Sequence, residues 1–300
     1  MTSETGNEAP PPPPAQAAER STLVPADPPA ADAPMVLSAL EATLAKVETA
    51  AHLADPVAMV HDARKAMKEY RGLLRLVPGD AAKAARRETA AAARALSAAR
   101  DRAAALEALE ALGKAGLLAP ADVVAASAAI GTDPAAKQEA ESHRAELAAF
   151  LDAARTRLTL GLAESAASAD LVKGMTRAYR AARRAHFSTP EAMHEARKRV
   201  VTHRYQMSFF ASTFAGRGTK RAGRAQSLRD LLGNYQDMEA LRPMVEAHRE
   251  ELGAAMTDRL LKAMATRQKR LKREAVALHR KLFRRRPKAF AHRFGKALDA

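Results

Sequence analysis

The chain has 300 residues, with 49 Lys and Arg against 34 Asp and Glu and a sequence pI of about 10.4. It has no cysteine, which excludes disulfides and thiolate chemistry, and no apolar run approaches the ~20 residues of a spanning helix. A positive surplus of this size speaks to phosphate-rich partners rather than to fold.

Residues 1–34 stand apart. They hold the proline run Pro10 to Pro14 and a second group at Pro25, Pro28, Pro29 and Pro34. Their carboxylates are Glu4, Glu8, Glu19, Asp27 and Asp32, against the single base Arg20. Such a stretch cannot bury a core, so a disordered acidic tail is expected there. The remaining residues, 35–300, then carry a net charge of +19. Met1 is followed by neither a basic nor an apolar region, so no signal peptide is expected, and a cytoplasmic protein without a membrane partner is.

From residue 35 onward Ala, Leu, Glu, Lys and Arg dominate, and these are strong helix formers. Asp55-Pro56 and Thr189-Pro190 each place a capping residue before a first-turn proline. Asp80, after Pro78-Gly79, opens a segment that Gly113 and Gly116 close. The periodicity predicts helices near 36–53, 56–77, 80–112, 134–161, 169–186, 190–214, 219–250 and 255–285, with a shorter one near 121–130. Helices joined by short loops make antiparallel bundles, so the fold class is all-α.

An internal repeat organises this series. Residues 61–71 read HDARKAMKEYR and residues 194–204 read HEARKRVVTHR, an offset of 133. Leu96–Asp101 (LSAARD) corresponds to Leu232–Asp237 (LGNYQD) at offset 136, and His143-Arg144 to His279-Arg280. On a helical wheel His61, Arg64, Lys65, Lys68, Arg71 and Arg75 share one face. Val60, Ala63, Ala66, Met67, Tyr70, Leu74 and Val77 share the other. The basic strip is roughly 21 Å long at 1.5 Å per residue. A solvated face ordinarily mixes signs to gain i,i+4 pairs, so one sign alone points to an anionic ligand. In the second copy His194, Arg197, Lys198 and Arg204 keep the strip, while Arg199 and His203 turn toward the apolar side. The helix before it adds Lys173, Arg177, Arg180 and Arg184, and the start of the 219–250 helix adds Lys220, Arg221 and Arg224. The first-half counterpart of the 169–186 helix has only Lys46 as a fixed cation.

These paired motifs resemble the CHAD family, the histidine-containing α-helical domains, over roughly residues 35–300. The family pattern appears as His61-x-x-Arg64 with Lys65, Lys68 and Arg71, and as His194-x-x-Arg197 with Lys198, Arg204 and Tyr205. The resemblance implies two four-helix bundles of long antiparallel helices related by a pseudo-two-fold axis, here about 35–162 and 168–300. It also implies a basic cleft between them that binds inorganic polyphosphate, with association to polyphosphate granules. Val201 stands where a base is expected and Ser97 where glycine is common. With only 34 residues ahead of the domain, a standalone member is expected.

Other chemistries fit poorly. HEARK is not a zinc-binding H-E-x-x-H, since Lys198 replaces the second histidine. No carboxylate group accompanies the strips to hold Mg²⁺, and no phosphate-cradling glycine loop or nucleophile elbow is present. No catalytic residue, metal or cofactor is therefore expected. Asp101 and Asp237 read as partners for buried arginines such as Arg100. His61 and His194 fit two roles, neutral hydrogen-bonding groups or cations formed beside a polyanion. The alternative function is sequence-nonspecific nucleic-acid binding through the basic helices and the stretch from Lys262 to Lys296, with 14 Lys and Arg and one Glu. Against it, no Trp and four Tyr leave few stacking platforms for single strands. The oligomeric state is not readable. Deleting residues 1–34 is expected to leave helicity and Tm nearly unchanged, and polyanion affinity unchanged or modestly higher. Circular dichroism and a polyphosphate titration check this, and a large fall in Tm would make the tail part of the fold.

Overall fold

The computed structural model describes residues 35–96, 98–131, 140–160, 168–213, 216 and 218–296; the tail at 1–34 lies outside them. The described residues form helices and no strands. In chain order the helices are α1 (Met35–Ala51), α2 (Pro56–Leu73), α3 (Asp80–Ala95), α4 (Ala98–Lys114), α5 (Pro120–Ile130), α6 (Ala140–Thr159), α7 (Ser168–Arg183), α8 (Pro190–Thr213), α9 (Thr219–Ala247), α10 (Arg249–Leu252), α11 (Ala254–Leu282) and α12 (Pro287–Gly295). None is long and apolar enough to cross a membrane.

Local signals act as their chemistry requires. The Asp55 carboxylate accepts from the Val57 and Ala58 amides at 3.0 and 3.3 Å and caps α2. Thr189 Oγ1 accepts from the Ala192 amide at 3.2 Å at the head of α8. The expected apolar face of α2 is buried throughout, from Val60 to Val77.

Helices α1, α2, α3 and α6 pack on one another. So do α7, α8, α9 and α11 along the chain of contacts α7–α8, α8–α9 and α9–α11, with α12 on α7. The cores do not divide at the same place. One core runs from Val36 of α1 through α2, α3 and α6 into α7, α8, proximal α9, distal α11 and Phe294 of α12. A second core joins α4 and α5 (Ala105, Leu109, Leu112, Ile130) to distal α9 (Met238, Leu241, Val245) and proximal α11 (Leu260, Met264).

That arrangement corrects the single helix expected over 80–112. The chain is helical on both sides but breaks after Ala95. Leu96 belongs to the first core and Ala105 to the second, so the chain redirects between them. Arg64 Nη1 donates to the Ala93 carbonyl, the acceptor an unbroken helix would offer to the amide of residue 97. Tertiary packing overrides a composition that favours continuation. The C-terminal α12, absent from the expected elements, is held by Phe290, whose ring stacks on Tyr179 with centroids 4.1 Å apart.

Few acids are available to partner the arginines, and carbonyls at helix ends accept from several of them instead. Arg144 Nη2 donates to the Leu53 carbonyl beyond α1 at 3.0 Å. Arg86 Nη1 donates to the Leu74 carbonyl at the end of α2 at 3.0 Å. Arg64 reaches Ala93 near the end of α3. Arg199 Nη1 reaches Ala181 near the end of α7 at 3.2 Å, and Arg221 Nη2 reaches Leu282 at the end of α11 at 2.6 Å. Each guanidinium meets carbonyls that lack an intrahelical donor and carry the negative end of the helix dipole.

His203 is 0% exposed, and its Nε2 accepts from Arg221 Nε at 3.0 Å. Burial first, and the Arg221 charge second, hold its pKa well below the ordinary histidine value. The imidazole is neutral when folded and protonates more readily when unfolded. Stability is therefore full above about pH 6.5, the unfolded value. It falls below that pH by up to about 1.4 kcal/mol per unit. His279, buried against the Ala182 carbonyl at 2.8 Å, shifts the same way. Denaturant melts from pH 7.5 to 5 are expected to lose midpoint on the acid side, and His203→Gln, which still offers an acceptor to Arg221, is expected to flatten most of that loss. An unchanged acid limb in the variant would remove His203 as its cause.

Candidate polyanion site

Helix α2 presents its basic strip away from the core. His61, Lys65 and Arg75 are exposed, and Arg64, Lys68 and Arg71 are half-buried. The strip does not stand alone. Arg71 at the end of α2 lies in electrostatic range of Arg75 and of Arg94 of α3, and Arg86 of α3 lies in range of Arg71, Arg75 and Arg177 of α7. Burial lowers the pKa of Arg71, and Arg75 and Arg94 lower it further. Crowding by neighbouring protein atoms also lowers Arg75, although its side chain keeps an open side to solvent. Arg86 is lowered by burial, then by Arg75, Arg177, Arg71 and Arg87. Arg71, Arg75 and Arg86 nonetheless stay cationic at neutral pH, because a guanidinium gives up its proton only far into the alkaline range. The shifts record like charges gathered in a partly desolvated place, which an anion would relieve.

A glycine makes this approach. A Cβ on Gly174 of α7 would stand 2.9 Å from both the Arg75 carbonyl oxygen and Leu76 Cα. Only a residue without a side chain lets α7 lie this close to the end of α2, and Arg177 follows three residues later. Helix α8 crosses α2 through another glycine. A Cβ on Gly72 would stand 3.2 Å from Tyr205 Cβ. Tyr205 Oη donates to the Lys65 carbonyl at 3.0 Å and Gln206 Nε2 to the Gly72 carbonyl at 3.2 Å. The two H-x-x-R helices are thereby fastened side by side.

The second strip is more heavily committed. Arg197 Nη1 donates to Gln236 Oε1 at 2.9 Å, and its guanidinium lies over Gly233 of the Leu232–Asp237 signature. Lys198 pairs with Glu195 at 2.7 Å and Lys173 with Asp170 at 3.2 Å, both on exposed surfaces where such pairs are weak. Arg204 lies 4.3 Å over the Tyr205 ring. His194, Arg180, Arg184, Lys220 and Arg224 are exposed. Arg221 turns inward, over the Tyr179 and Phe290 rings at 5.0 and 5.2 Å, with its donors used on His203 and Leu282. Arg199 and His203 face inward as expected. Lys46 pairs with Glu69 at 3.0 Å. The side chains of Arg100 and Asp101 lie outside the described residues.

Sequence reasoning missed Arg86, Arg94 and Gly174. Arg87 and Arg94 recur seven apart on α3, a spacing that signals one helical face, but nothing in sequence says that this face meets α2 and α7. An apolar groove of about 660 Å³ between α3 and α6 is lined by Tyr70, Phe150 and a series of alanines. Its charged lining is Glu88, Glu146 and Arg157, a balance unsuited to a polyanion. Among the described residues, no three His, Asp or Glu side chains gather as metal ligands would.

A family model described as CHAD domain matches residues 34–246. No curated protein matches the chain, and no solved structure does. Gly174→Ala is expected to push α7 off the end of α2, cost about 1–3 kcal/mol through overpacking, and weaken polyanion binding by displacing Arg177. Thermal melts and binding titrations check both, and a variant as stable and as tight as the parent would show that the close approach is dispensable.

Proposed function

The chain belongs to the CHAD domain family, and from that membership we propose that it binds inorganic polyphosphate, without catalysing its breakdown, in a basic cleft where α2, α3 and α7 converge. The observation behind this reading is the close approach of α7 to the end of α2 at Gly174, which gathers Arg71, Arg75, Arg86 and Arg177 in one region, with Arg86 in electrostatic range of the other three. Polyphosphate carries about one negative charge per repeating unit and has no bases to read, so recognition needs only cations spaced along its path. Arginine supplies a planar fork for phosphate oxygens and lysine a mobile point charge. The strip of His61, Arg64, Lys65 and Lys68 extends this path along α2. Arg180 and Arg184 extend it along α7, and His194, Arg197, Lys198, Arg204, Lys220 and Arg224 add contacts from α8 and α9. Arg221 takes part by fixing the start of α9 rather than by touching phosphate. A soluble cytoplasmic protein recruited to polyphosphate granules is the setting this function implies.

Binding to chains of graded length tests the reading. Affinity is expected to rise with length and level off once the chain spans the cleft, with monophosphate and pyrophosphate binding poorly. Replacing Arg71, Arg75, Arg86 and Arg177 together by Ala is expected to cost about 3 kcal/mol or more of binding, since charged hydrogen bonds contribute about 1.5–3 each. The variant is expected to stay folded, because relieved repulsion offsets the lost Arg86 bond to the Leu74 carbonyl. Equal affinity for short and long chains, or a variant that binds normally, would sink the cleft assignment.

A further inference from the structure

Helix α11 carries a second, separate cationic surface. Its buried side is continuous through Leu260, Met264, Leu271, Ala275 and Leu282. At 100° per residue, Lys262, Lys269, Arg273 and Arg280 fall within about 40° on the opposite side, and all four are exposed. From Lys262 to Arg280 they span about 27 Å of helix.

Three other cations of α11 are engaged off this line. Arg270 pairs with Glu274 at 3.0 Å, Arg259 with Asp122 at 3.0 Å, and Lys272 Nζ donates to the Ser188 carbonyl at 3.3 Å. The four strip residues have no carboxylate partner among the described residues. Asp258, one turn before Lys262, is the nearest acid on that face, and no acid follows it along the strip as far as Arg280. Helix α11 also lies beyond residue 246, where the family match ends.

We propose that the outer face of α11 binds the phosphate backbone of duplex nucleic acid, independently of whatever the cleft holds. The geometry selects this partner. The strip is straight, convex and open. A duplex, with a persistence length of about 50 nm, lies along such a line without bending and places many phosphates opposite the four cations. A flexible chain would have to be ordered there with no second wall to hold it. An anionic membrane demands apolar residues beside the cations, and the exposed neighbours here are Ala265, Thr266 and Ala277. A convex helix face laid along the phosphates does not enter a groove, so binding is sequence-independent and carried by counterion release.

The test is an anisotropy titration of the full chain with a 25-base-pair DNA duplex across graded salt, beside polyphosphate and phosphatidylglycerol vesicles. Three proteins are compared: the parent, K262A/K269A/R273A/R280A, and the charge-preserving K262R/K269R/R273K/R280K. The Ala variant is expected to bind duplex at least about 100-fold more weakly at low salt, with its log–log salt slope reduced by about 3–4, at about 0.9 per phosphate contact. The swapped variant is expected to bind within about threefold of the parent, and Tm is expected to hold in both. Polyphosphate affinity, if the cleft reading is right, stays unchanged. The proposal is overturned if the parent does not bind duplex, if the Ala variant binds it as tightly, if the swap abolishes binding, or if the strip variant loses polyphosphate or vesicle binding instead.

Discussion

The arginine side chain bonded to a helix C-terminal carbonyl is the contact on which this structure rests. A chain with so few acids for its bases cannot neutralise them pair by pair. Arg86, Arg144, Arg199 and Arg221 instead satisfy carbonyls near the ends of α2, α1, α7 and α11, and Arg64 gives one of its nitrogens to a carbonyl near the end of α3. A carboxylate partner would cancel the charge. A carbonyl partner orients it and leaves it whole. The same bonds that tie the helices together therefore keep the surface positive, so the scaffold does not have to consume the charge that binding requires.

The crossing of α2 and α8 then decides where that charge gathers. Gly72 and Tyr205 are separated by the 133-residue offset of the repeat, and they touch each other. A meeting of equivalent positions is what a two-fold relation between the copies would require. With Tyr205 bonded to the Lys65 carbonyl and α7 drawn in over Gly174, cations from distant parts of the chain share one region. The two copies contribute unequally. Val201 stands at the position equivalent to Lys68, so the charge of the strips is weighted toward the first half, and Arg197 is held in place by Gln236.

What sequence made legible is what helical periodicity encodes. The two faces of α2 follow from residue spacing, and so does the inward turn of Arg199 and His203, because each depends only on 3.6 residues per turn. The capping of α2 and α8 was equally local. The break after Ala95 was not, since alanine favours helix on both sides and the cause is a switch between two cores, marked by a side chain 29 residues away. Gly174 looks like any mid-helix glycine until the backbone of Arg75 is seen against it. Arg221 has the spacing of a surface cation, yet aromatic rings from α7 and α12 turn it inward, and those partners lie far away in sequence.

The second core has a consequence for how the protein is made. Its first contributors, Ala105 to Ile130, leave the ribosome long before Leu260 and Met264 of α11. About 130 residues separate the two, which at roughly 5–20 residues per second is roughly 6–26 s of synthesis. For most of that interval α4 and α5 have only each other, and even once distal α9 has emerged their core lacks its α11 side. The first half of the chain can settle α1, α2, α3 and α6, but not itself as a whole. Nascent chains stalled before α11 would therefore be the form most exposed to chaperones and proteases, and a cut between the repeats would yield two sticky fragments rather than two domains.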